Sequence, residues 1–266
     1  MGAEASAQTH QILAARFSLD KRNAIVTGGS TGIGREVVKG LAELGARVVF
    51  NSTTNSQEAA ESLVAEVKDK GGEAIWVPGD VRLKETTDSL IKTTRDRLGA
   101  PHILVACAGV TRDGAFVRQS DQDFDDVYDI KVNSARRLTQ GVVGLMGREK
   151  WGRIVYIGSV AADGSPWQIN YAMANGSLEA LAKSVAAGYA ERGIAANVVK
   201  PALVDSKLTR PPALAEEPRQ KIIESMPIGR VLEPVEIADT VLMLVAQRAP
   251  VITGSTIYAD GGMRRK

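Results

Sequence analysis

The feature that most constrains this sequence is a regular alternation of short, uninterrupted apolar runs with longer amphipathic stretches. Strands that are apolar throughout are typical of a parallel sheet covered on both faces, whereas half-exposed strands alternate. The runs rich in Val, Ile and Leu predict strands at 23–27, 47–50, 74–77, 103–106, 154–157, 196–199 and 256–258. Helices are predicted between them at 33–44, 56–70, 85–98, 121–145, 170–192 and 236–246. The pattern therefore predicts an α/β fold, a doubly wound parallel seven-stranded sheet with helices on both faces.

Length and composition fit one such domain and exclude several kinds of site. A chain of 266 residues can bury a sufficient core without a disulfide or a metal. The single cysteine, Cys107, and the two histidines, His10 and His102, disfavour a zinc cluster and a Ser-His-Asp hydrolase. A net charge of +2 does not indicate a surface that binds nucleic acid. No apolar stretch is long enough to span a bilayer. We therefore expect a cytoplasmic protein with no metal, no nucleic-acid partner and no membrane association.

A glycine-rich segment, Thr27-Gly28-Gly29-Ser30-Thr31-Gly32-Ile33-Gly34, joins the first predicted strand to the first predicted helix. Glycines at this junction let the backbone turn tightly and approach a pyrophosphate, whose charge is then stabilised by the helix N-terminus. The placement predicts a dinucleotide site and a single Rossmann-type domain.

The domain is predicted to span residues 20–266, and residues 1–19 form an N-terminal extension. One loop insertion, at 209–219, is rich in Pro, Arg, Ala and Glu and follows the sixth strand. Open α/β sheets bind ligands at the carboxyl ends of their strands. We therefore predict a substrate lid at about 203–227.

The spacing Thr-Gly-x-x-x-Gly-Ile-Gly resembles the nucleotide loop of the short-chain dehydrogenase/reductase family. The resemblance extends from about Asp20 to Gly262 and includes Gly79-Asp80-Val81, Val132-Asn133, Ile157-Gly158-Ser159 and Asn170-Tyr171. Three later segments are similar to the β-ketoacyl-acyl-carrier-protein reductase branch: Pro227-Ile228-Gly229-Arg230, Ile252-Thr253-Gly254 and Asp260-Gly261-Gly262.

The resemblance implies hydride transfer between a nicotinamide cofactor and a carbonyl substrate. It assigns Tyr171 to exchange a proton with the substrate oxygen, Ser159 to hold that oxygen and Asn133 to organise the site. A hydroxyl donor aimed at a developing alkoxide stabilises the transition state. Asn175 completes the catalytic set, at the position where the family has a lysine. The resemblance assigns to the cofactor Gly28, Ser30, Thr31, Gly32, Ile33, Gly34, Asn51, Ser52, Thr53, Asp80, Val81, Ala108, Gly109, Asn175, Pro201, Val204 and Ser206.

The sequence departs from the family pattern in four places on the nicotinamide side. Asn175 replaces the lysine that follows the tyrosine by four residues, and Tyr171 follows Ser159 by twelve positions, one fewer than usual. After the fourth strand, this sequence has Ala106-Cys107-Ala108-Gly109 where the family has Asn-Asn-Ala-Gly. After the sixth strand, it has Lys200-Pro201-Ala202 where the family has Pro-Gly. Two functions stay open: an NADPH-dependent ketoreductase with an atypical site, and a catalytically impaired, cofactor-binding subunit of an active homologue.

Asn175 can still hydrogen-bond ribose hydroxyls, and Lys131 and Lys200 are candidate replacement cations. The second strand ends in Asn51-Ser52-Thr53, neutral and rich in donors, which favours NADP(H) because a carboxylate would repel a 2′-phosphate. Thr31 stands where many phosphate-binding relatives place a basic residue, so NAD(H) stays the second choice.

The resemblance also bears on the substrate and on the assembly. Trp167 is expected to shape the substrate pocket. Lys150 and Arg192 match the basic residues that receive an acidic carrier, although solvated surface positions explain them equally well. The expected partners are acyl carrier protein or a CoA-bound acyl substrate, with a homotetramer, a homodimer or a heteromer with an active homologue as the assembly.

Overall fold

In the computed structural model, residues 17–211, 213–246 and 250–263 are described, so most of the predicted extension lies outside the described residues. Leu19, the last residue assigned to that extension, is fully buried and packs in the core. Its backbone N–H donates to the carbonyl oxygen of Leu44 over 2.7 Å. The folded domain therefore includes at least this residue of the segment.

The described residues form one sheet of seven parallel strands in the order β3-β2-β1-β4-β5-β6-β7, which confirms the predicted fold. The strands are β1 Asn23–Thr27, β2 Arg47–Ser52, β3 Glu73–Pro78, β4 Ile103–Ala106, β5 Gly152–Ile157, β6 Ile194–Pro201 and β7 Thr256–Ala259. The order reverses between β1 and β4, and ligands of open α/β sheets bind at the carboxyl ends of the strands at such a point.

Helices cover both faces of the sheet. They are α1 Gly32–Glu43, α2 Gln57–Asp69, α3 Lys84–Arg97, α4 Asp121–Tyr128, α5 Ser134–Arg148, α6 Ile169–Tyr189, α7 Glu216–Ser225 and α8 Pro234–Val245. Apolar side chains of α1, α2 and α8 pack on one face, and those of α3, α5 and α6 pack on the other. No helix within the described residues is both long and apolar enough to cross a membrane.

The segment predicted as one helix over 121–145 contains a π-helical turn at Asp129–Asn133, between α4 and α5. A π-turn widens the helix and changes the direction in which its side chains point. Here it leaves Lys131 only 4% exposed. Apolar periodicity does not reveal such a turn, because the helix continues on both sides of it.

The predicted lid at 203–227 contains a helix, α7, where the sequence predicts an irregular loop. None of the described residues of α7 is buried, so this helix packs on the domain only through half-buried positions. The segment is joined to the domain at its start, where Val204 forms a parallel bridge with Leu232. Its function as a lid stays a prediction.

Lys200, near the end of β6, is 1% exposed and forms a buried ionic cluster. Its ammonium lies 2.6 Å from Oδ1 of Asp163 and 2.5 Å from Oε1 of Glu179. Burial lowers the pKa of Lys200, but the hydrogen bonds that its ammonium donates to the two carboxylates, together with their charge, outweigh burial, and the pKa is raised overall. Asp163 ends the 3₁₀ turn Val160–Asp163 that follows Ser159, and Glu179 lies on α6. The cluster therefore fastens the loop that follows Ser159 to α6.

Replacing Lys200 with Met should destabilise the fold by about 3 kcal/mol, because two partly buried carboxylates would face each other without a cation. Urea unfolding at pH 7 measures this loss. Lys92→Met, at a solvated lysine of α3, is the control and should change the free energy of unfolding by less than about 0.5 kcal/mol. Because the pKa of Lys200 is raised in the fold, its contribution is present at neutral pH and is lost as the pH rises through that raised value. Equal unfolding of the two variants would contradict the prediction.

Candidate active site

The loops after β1 and β4 meet where the strand order reverses. Thr27 ends β1, and its Oγ1 accepts hydrogen bonds from the N–H groups of Cys107 at 3.1 Å and Ala108 at 3.2 Å. A Cβ added to Gly28 would lie 3.0 Å from the backbone of Ala108, and Gly28 has φ +66°. Only glycine allows this approach, so the two loops form one edge of the site.

The glycine-rich loop leaves the N-terminus of α1 open to a ligand. A Cβ on Gly34 would lie 2.1 Å from the carbonyl oxygen of Gly28, so the loop folds back tightly on the helix. The N-cap residue, Thr31, makes no side-chain capping hydrogen bond. Since the first N–H groups of a helix have no partner inside it, they can bind a phosphate. Ser30, buried, and Ile33, half-buried, complete the predicted loop.

The segment after β6 lies against this loop. Ser206 Cβ lies 3.7 Å from the position that a Cβ on Gly32 would occupy. Pro201 ends β6, and the side chain of Val204 belongs to the core. Of these predicted cofactor residues, Ser206 therefore lies against the nucleotide loop, whereas the side chain of Val204 is buried in the core.

The end of β2 carries the residues predicted to select the cofactor. The side-chain amide of Asn51 donates to the carbonyl oxygens of Val77 and Gly79, both at 3.0 Å, so it braces the neighbouring strand. Ser52 Oγ accepts a hydrogen bond from Trp76 Nε1 at 3.0 Å, and its own proton remains available to an acceptor. Thr53 is exposed. The neutral Ser52 and Thr53 hydroxyls therefore form the polar end of this strand.

Asp80 and Val81 follow β3. The side chain of Arg82 donates to Asp80 Oδ2 at 2.8 Å, and this bond lowers the pKa of Asp80. Arg82 also contacts Asp126 at 2.8 Å. The carbonyl oxygen of Val81 accepts a hydrogen bond from Arg137 at 3.1 Å. The sequence does not single out Arg82 or Arg137 as site residues. An arginine after Asp-Val, or on an amphipathic helix, resembles an ordinary surface position.

Ser159 and Tyr171 lie at the same edge of the sheet, after β5. Ser159 Oγ accepts the N–H of Ala161 at 3.1 Å, which caps the short turn. Tyr171 lies in the first turn of α6, next to the fully buried Asn170. Asn170 Nδ2 donates to the carbonyl oxygen of Arg112 at 3.0 Å and so fixes the start of α6 against the loop after β4. Within the described residues, no hydrogen bond joins the Ser159 and Tyr171 side chains.

The two asparagines assigned to the catalytic set have different environments. Asn175 is fully buried, and its Nδ2 donates to the Tyr171 carbonyl oxygen at 2.7 Å. Its Oδ1 has no hydrogen-bond partner among the described residues. A buried amide oxygen without a donor is costly, so this atom is suited to accept from a ligand hydroxyl. Asn133 Nδ2 instead donates to Asp129 Oδ1 at 2.6 Å and braces the π-turn.

Lys131 brings a charge into this site. Its Nζ donates to the carbonyl oxygen of Ile157 at 3.1 Å and lies 5.1 Å from the centre of the Tyr171 ring. The same atom lies 3.2 Å from the position that a Cβ on Gly109 would occupy. Burial raises the pKa of the Cys107 thiol to about 11, and the charge of Lys131 opposes that rise. The ammonium therefore lies between the ends of β4 and β5.

A cleft of about 330 Å³ opens beside the start of α6. Trp167 lines it and is 63% exposed; its role in shaping a substrate pocket stays a prediction. The Trp167 carbonyl oxygen accepts the N–H of Gly114 at 2.8 Å, which holds the two walls together. Burial raises the pKa of Asp113, which accepts a hydrogen bond from Gln168 at 2.9 Å. The remaining lining residues are Arg112, Ala115, Arg118, Gln119 and Asp123.

Two predicted substrate residues do not lie in this cleft. Lys150 precedes β5 and Arg192 precedes β6, so both lie at the amino edge of the sheet, opposite Ser159 and Tyr171. They lie near each other, because a Cβ on Gly193 would lie 2.1 Å from the carbonyl oxygen of Lys150. The structure therefore does not place them in the pocket of the same chain. No cluster of acidic, histidine or cysteine side chains suited to a metal occurs among the described residues.

Curated relatives match nearly the whole chain. A 3-oxoacyl-[acyl-carrier-protein] reductase of Pseudomonas aeruginosa is 36% identical over 248 residues, covering 93% of this chain and 99% of that protein. The Staphylococcus epidermidis protein of the same description is 35% identical over 243 residues, covering 91% and 98%.

Solved structures agree with this match. A dehydrogenase/reductase from Sinorhizobium meliloti has a TM-score of 0.88 at 30% identity, covering 96% of this chain and 100% of that chain. A metagenomic blue fluorescent protein in complex with NADPH has a TM-score of 0.87 at 28% identity, covering 93% and 100%. The family model described as enoyl-(acyl carrier protein) reductase matches residues 28–264. The chain is an NAD(P)-dependent oxidoreductase and belongs to the short-chain dehydrogenase/reductase family.

Proposed function

We propose that the protein is an NADPH-dependent ketoreductase that reduces a β-ketoacyl thioester carried by acyl carrier protein or by CoA. One observation carries the proposal: the loop after β4 contacts both the nucleotide loop, through Thr27, and the start of α6, through Asn170. A cofactor held by the nucleotide loop would therefore extend along the loop after β4 toward Tyr171. The curated relatives named above act, by their descriptions, on acyl-carrier-protein substrates.

The residues present fit a dinucleotide. A Cβ on Gly28, Gly29 or Gly34 would lie 3.0 Å or less from neighbouring atoms, so the loop needs glycine at these positions, and the N-terminus of α1 can take the pyrophosphate. The unpartnered Oδ1 of Asn175 can accept a ribose hydroxyl, and the Ser52 and Thr53 hydroxyls can donate to a 2′-phosphate. When bound, the cofactor supplies the hydride for the carbonyl carbon.

The protein's own groups complete the reduction. Tyr171 gives its hydroxyl proton to the carbonyl oxygen as that oxygen gains negative charge, and the product is the alcohol. The Tyr171 hydroxyl makes no hydrogen bond with the described residues, so it is available to a substrate. Ser159 retains its hydroxyl proton while its oxygen accepts from Ala161, so it can donate to the same oxygen. Water then returns a proton to Tyr171.

The cleft beside Trp167 is the proposed site of the thioester. Phe116 and Val117 are 57% and 91% exposed in the turn that borders it, and they offer apolar contact to an acyl chain. Arg112 and Arg118 are exposed basic groups on its wall. Arg112 is paired with Asp126, and Asp113 and Asp123 also line the cleft, so the apolar rim is the feature that supports the proposed acyl-chain site.

The second candidate function is a cofactor-binding partner subunit without turnover. The missing hydrogen bond between Ser159 and Tyr171 and the uncharged Asn175 favour it. NADPH consumption by the purified chain with an acetoacetyl thioester decides between the two candidates. Turnover supports the ketoreductase, and NADPH binding without turnover, alone and beside an active homologue, supports the subunit.

NADPH should bind more tightly than NADH, because the end of β2 offers hydroxyl donors and no carboxylate. Ser52→Asp should weaken NADPH binding selectively, since its charge would repel the 2′-phosphate. Fluorescence titration of both cofactors measures this. Ser52→Asn introduces a neutral side chain of the same size as aspartate. It controls for the altered hydrogen bond with Trp76 and should keep the preference for NADPH over NADH. Equal affinities of the wild type for the two cofactors would refute the assignment.

Tyr171→Phe should remove most NADPH turnover while leaving the Kd for NADPH nearly unchanged, because only the proton donor is lost. Ser159→Ala should lower turnover by about 10²-fold, as loss of other oxyanion donors does. Ser159→Thr keeps a hydroxyl at that position and should retain more activity than the alanine variant. Steady-state kinetics and titration together measure both effects. An unchanged rate in Tyr171→Phe would mean that another group protonates the substrate.

A further inference from the structure

We propose that Lys131 supplies the cation of this active site. Its ammonium binds the cofactor's ribose next to the nicotinamide and stabilises the negative charge left on Tyr171 when the phenol gives up its proton. This inference rests on the proposed reductase function. The π-turn between α4 and α5 would then carry, in Lys131, a group that binds the cofactor and takes part in catalysis.

The first support is the way in which Lys131 is buried. An ammonium group has three donors, and the Ile157 carbonyl oxygen takes one of them. The residue is 4% exposed, and no carboxylate of the described residues lies within ion-pair distance. A desolvated charge with unused donors is costly unless something compensates it. A hydroxyl-rich ligand would satisfy the two remaining donors.

The second support is the location of that charge. Lys131 Nζ lies over the face of the Tyr171 ring at 5.1 Å and 3.2 Å from the position that a Cβ on Gly109 would occupy. A cation within about 4–6 Å favours the ionised form of a neighbouring acid. The titratable groups that face Lys131 are Tyr171, from α6, and the Cys107 thiol, from the loop after β4. Asp129, on the same π-turn, is held by Asn133.

Lys200 and Asn175, the other candidates for a cation or ribose-binding group beside Tyr171, do not provide a free charge there. The charge of Lys200 is matched by Asp163 and Glu179, which both contact its ammonium. Asn175 is uncharged, and its amide donates back to the Tyr171 carbonyl oxygen. Lys131 is therefore a buried cation at this edge without a carboxylate partner among the described residues.

The test compares Lys131→Met, Asn175→Lys and the double variant with the wild type. In Lys131→Met the Kd for NADPH should rise about tenfold, as expected for losing a hydrogen bond to a charged group. The pH at which alcohol oxidation reaches half its maximal rate should rise by about one unit or more. Asn175→Lys places an ammonium one helical turn beyond Tyr171, so the double variant should regain both properties.

Fluorescence titration of NADPH measures binding without turnover, and a pH–rate profile with a β-hydroxyacyl thioester measures the second effect. Lys92→Met, an exposed lysine of α3, is the control and should change neither. Urea unfolding of each variant shows that the fold is intact.

The outcomes separate the two proposals. Wild-type turnover with an unchanged Kd and pH profile in Lys131→Met overturns the role of Lys131 and leaves the reductase function standing. A wild type without turnover, combined with weakened NADPH binding in Lys131→Met and recovery in the double variant, overturns the reductase function and supports the role in cofactor binding. Weakened binding without recovery in the double variant overturns the proposal that the charge itself is responsible.

Discussion

The site depends on one hydroxyl group at the centre of the sheet. Thr27 Oγ1 accepts the N–H groups of Cys107 and Ala108, the first residues after β4, and so joins the two loops at the point where the strand order reverses. A valine in place of Thr27 would have the same shape but would leave both N–H groups without their acceptor, at a cost of about 1–3 kcal/mol for each buried group. Because Gly28 lies against Ala108, a shift of either loop would displace the other.

Two buried lysines meet the cost of desolvating a charge in opposite ways. Lys200 is surrounded by carboxylates, so its charge is matched inside the fold and serves to hold the turn that ends at Asp163. Lys131 has a single carbonyl acceptor, so most of its hydrogen-bonding capacity remains for something outside the fold. The number of carboxylate neighbours therefore separates the two lysines. Lys200, with two of them, stabilises the fold, whereas Lys131, with none, can interact with a ligand.

Features set by local sequence pattern were predictable, and features set by tertiary contact were not. Solid apolar runs predicted every strand to within two residues at each end, and the two residues that the family resemblance assigns to catalysis, Ser159 and Tyr171, both follow β5 in the structure. The π-turn at 129–133 and the direction of the Lys131 side chain were not predictable, because a helix with a widened turn has an ordinary composition. Helix α7 was missed because Pro218 and a charged, mostly exposed surface resemble a loop.

The cation beside Tyr171 and the anchor of the turn after Ser159 come from different elements of the fold. Lys200, from β6, anchors the turn that follows Ser159 through Asp163. With Asn175 uncharged, an ammonium must enter from another element to keep a cation beside Tyr171, and the π-turn turns Lys131 inward. The small loop residues after β4 leave room for it, since any side chain on Gly109 would meet the ammonium at 3.2 Å. The Lys131 ammonium and a side chain at position 109 would therefore compete for the same space, so the proposed cation requires a glycine there.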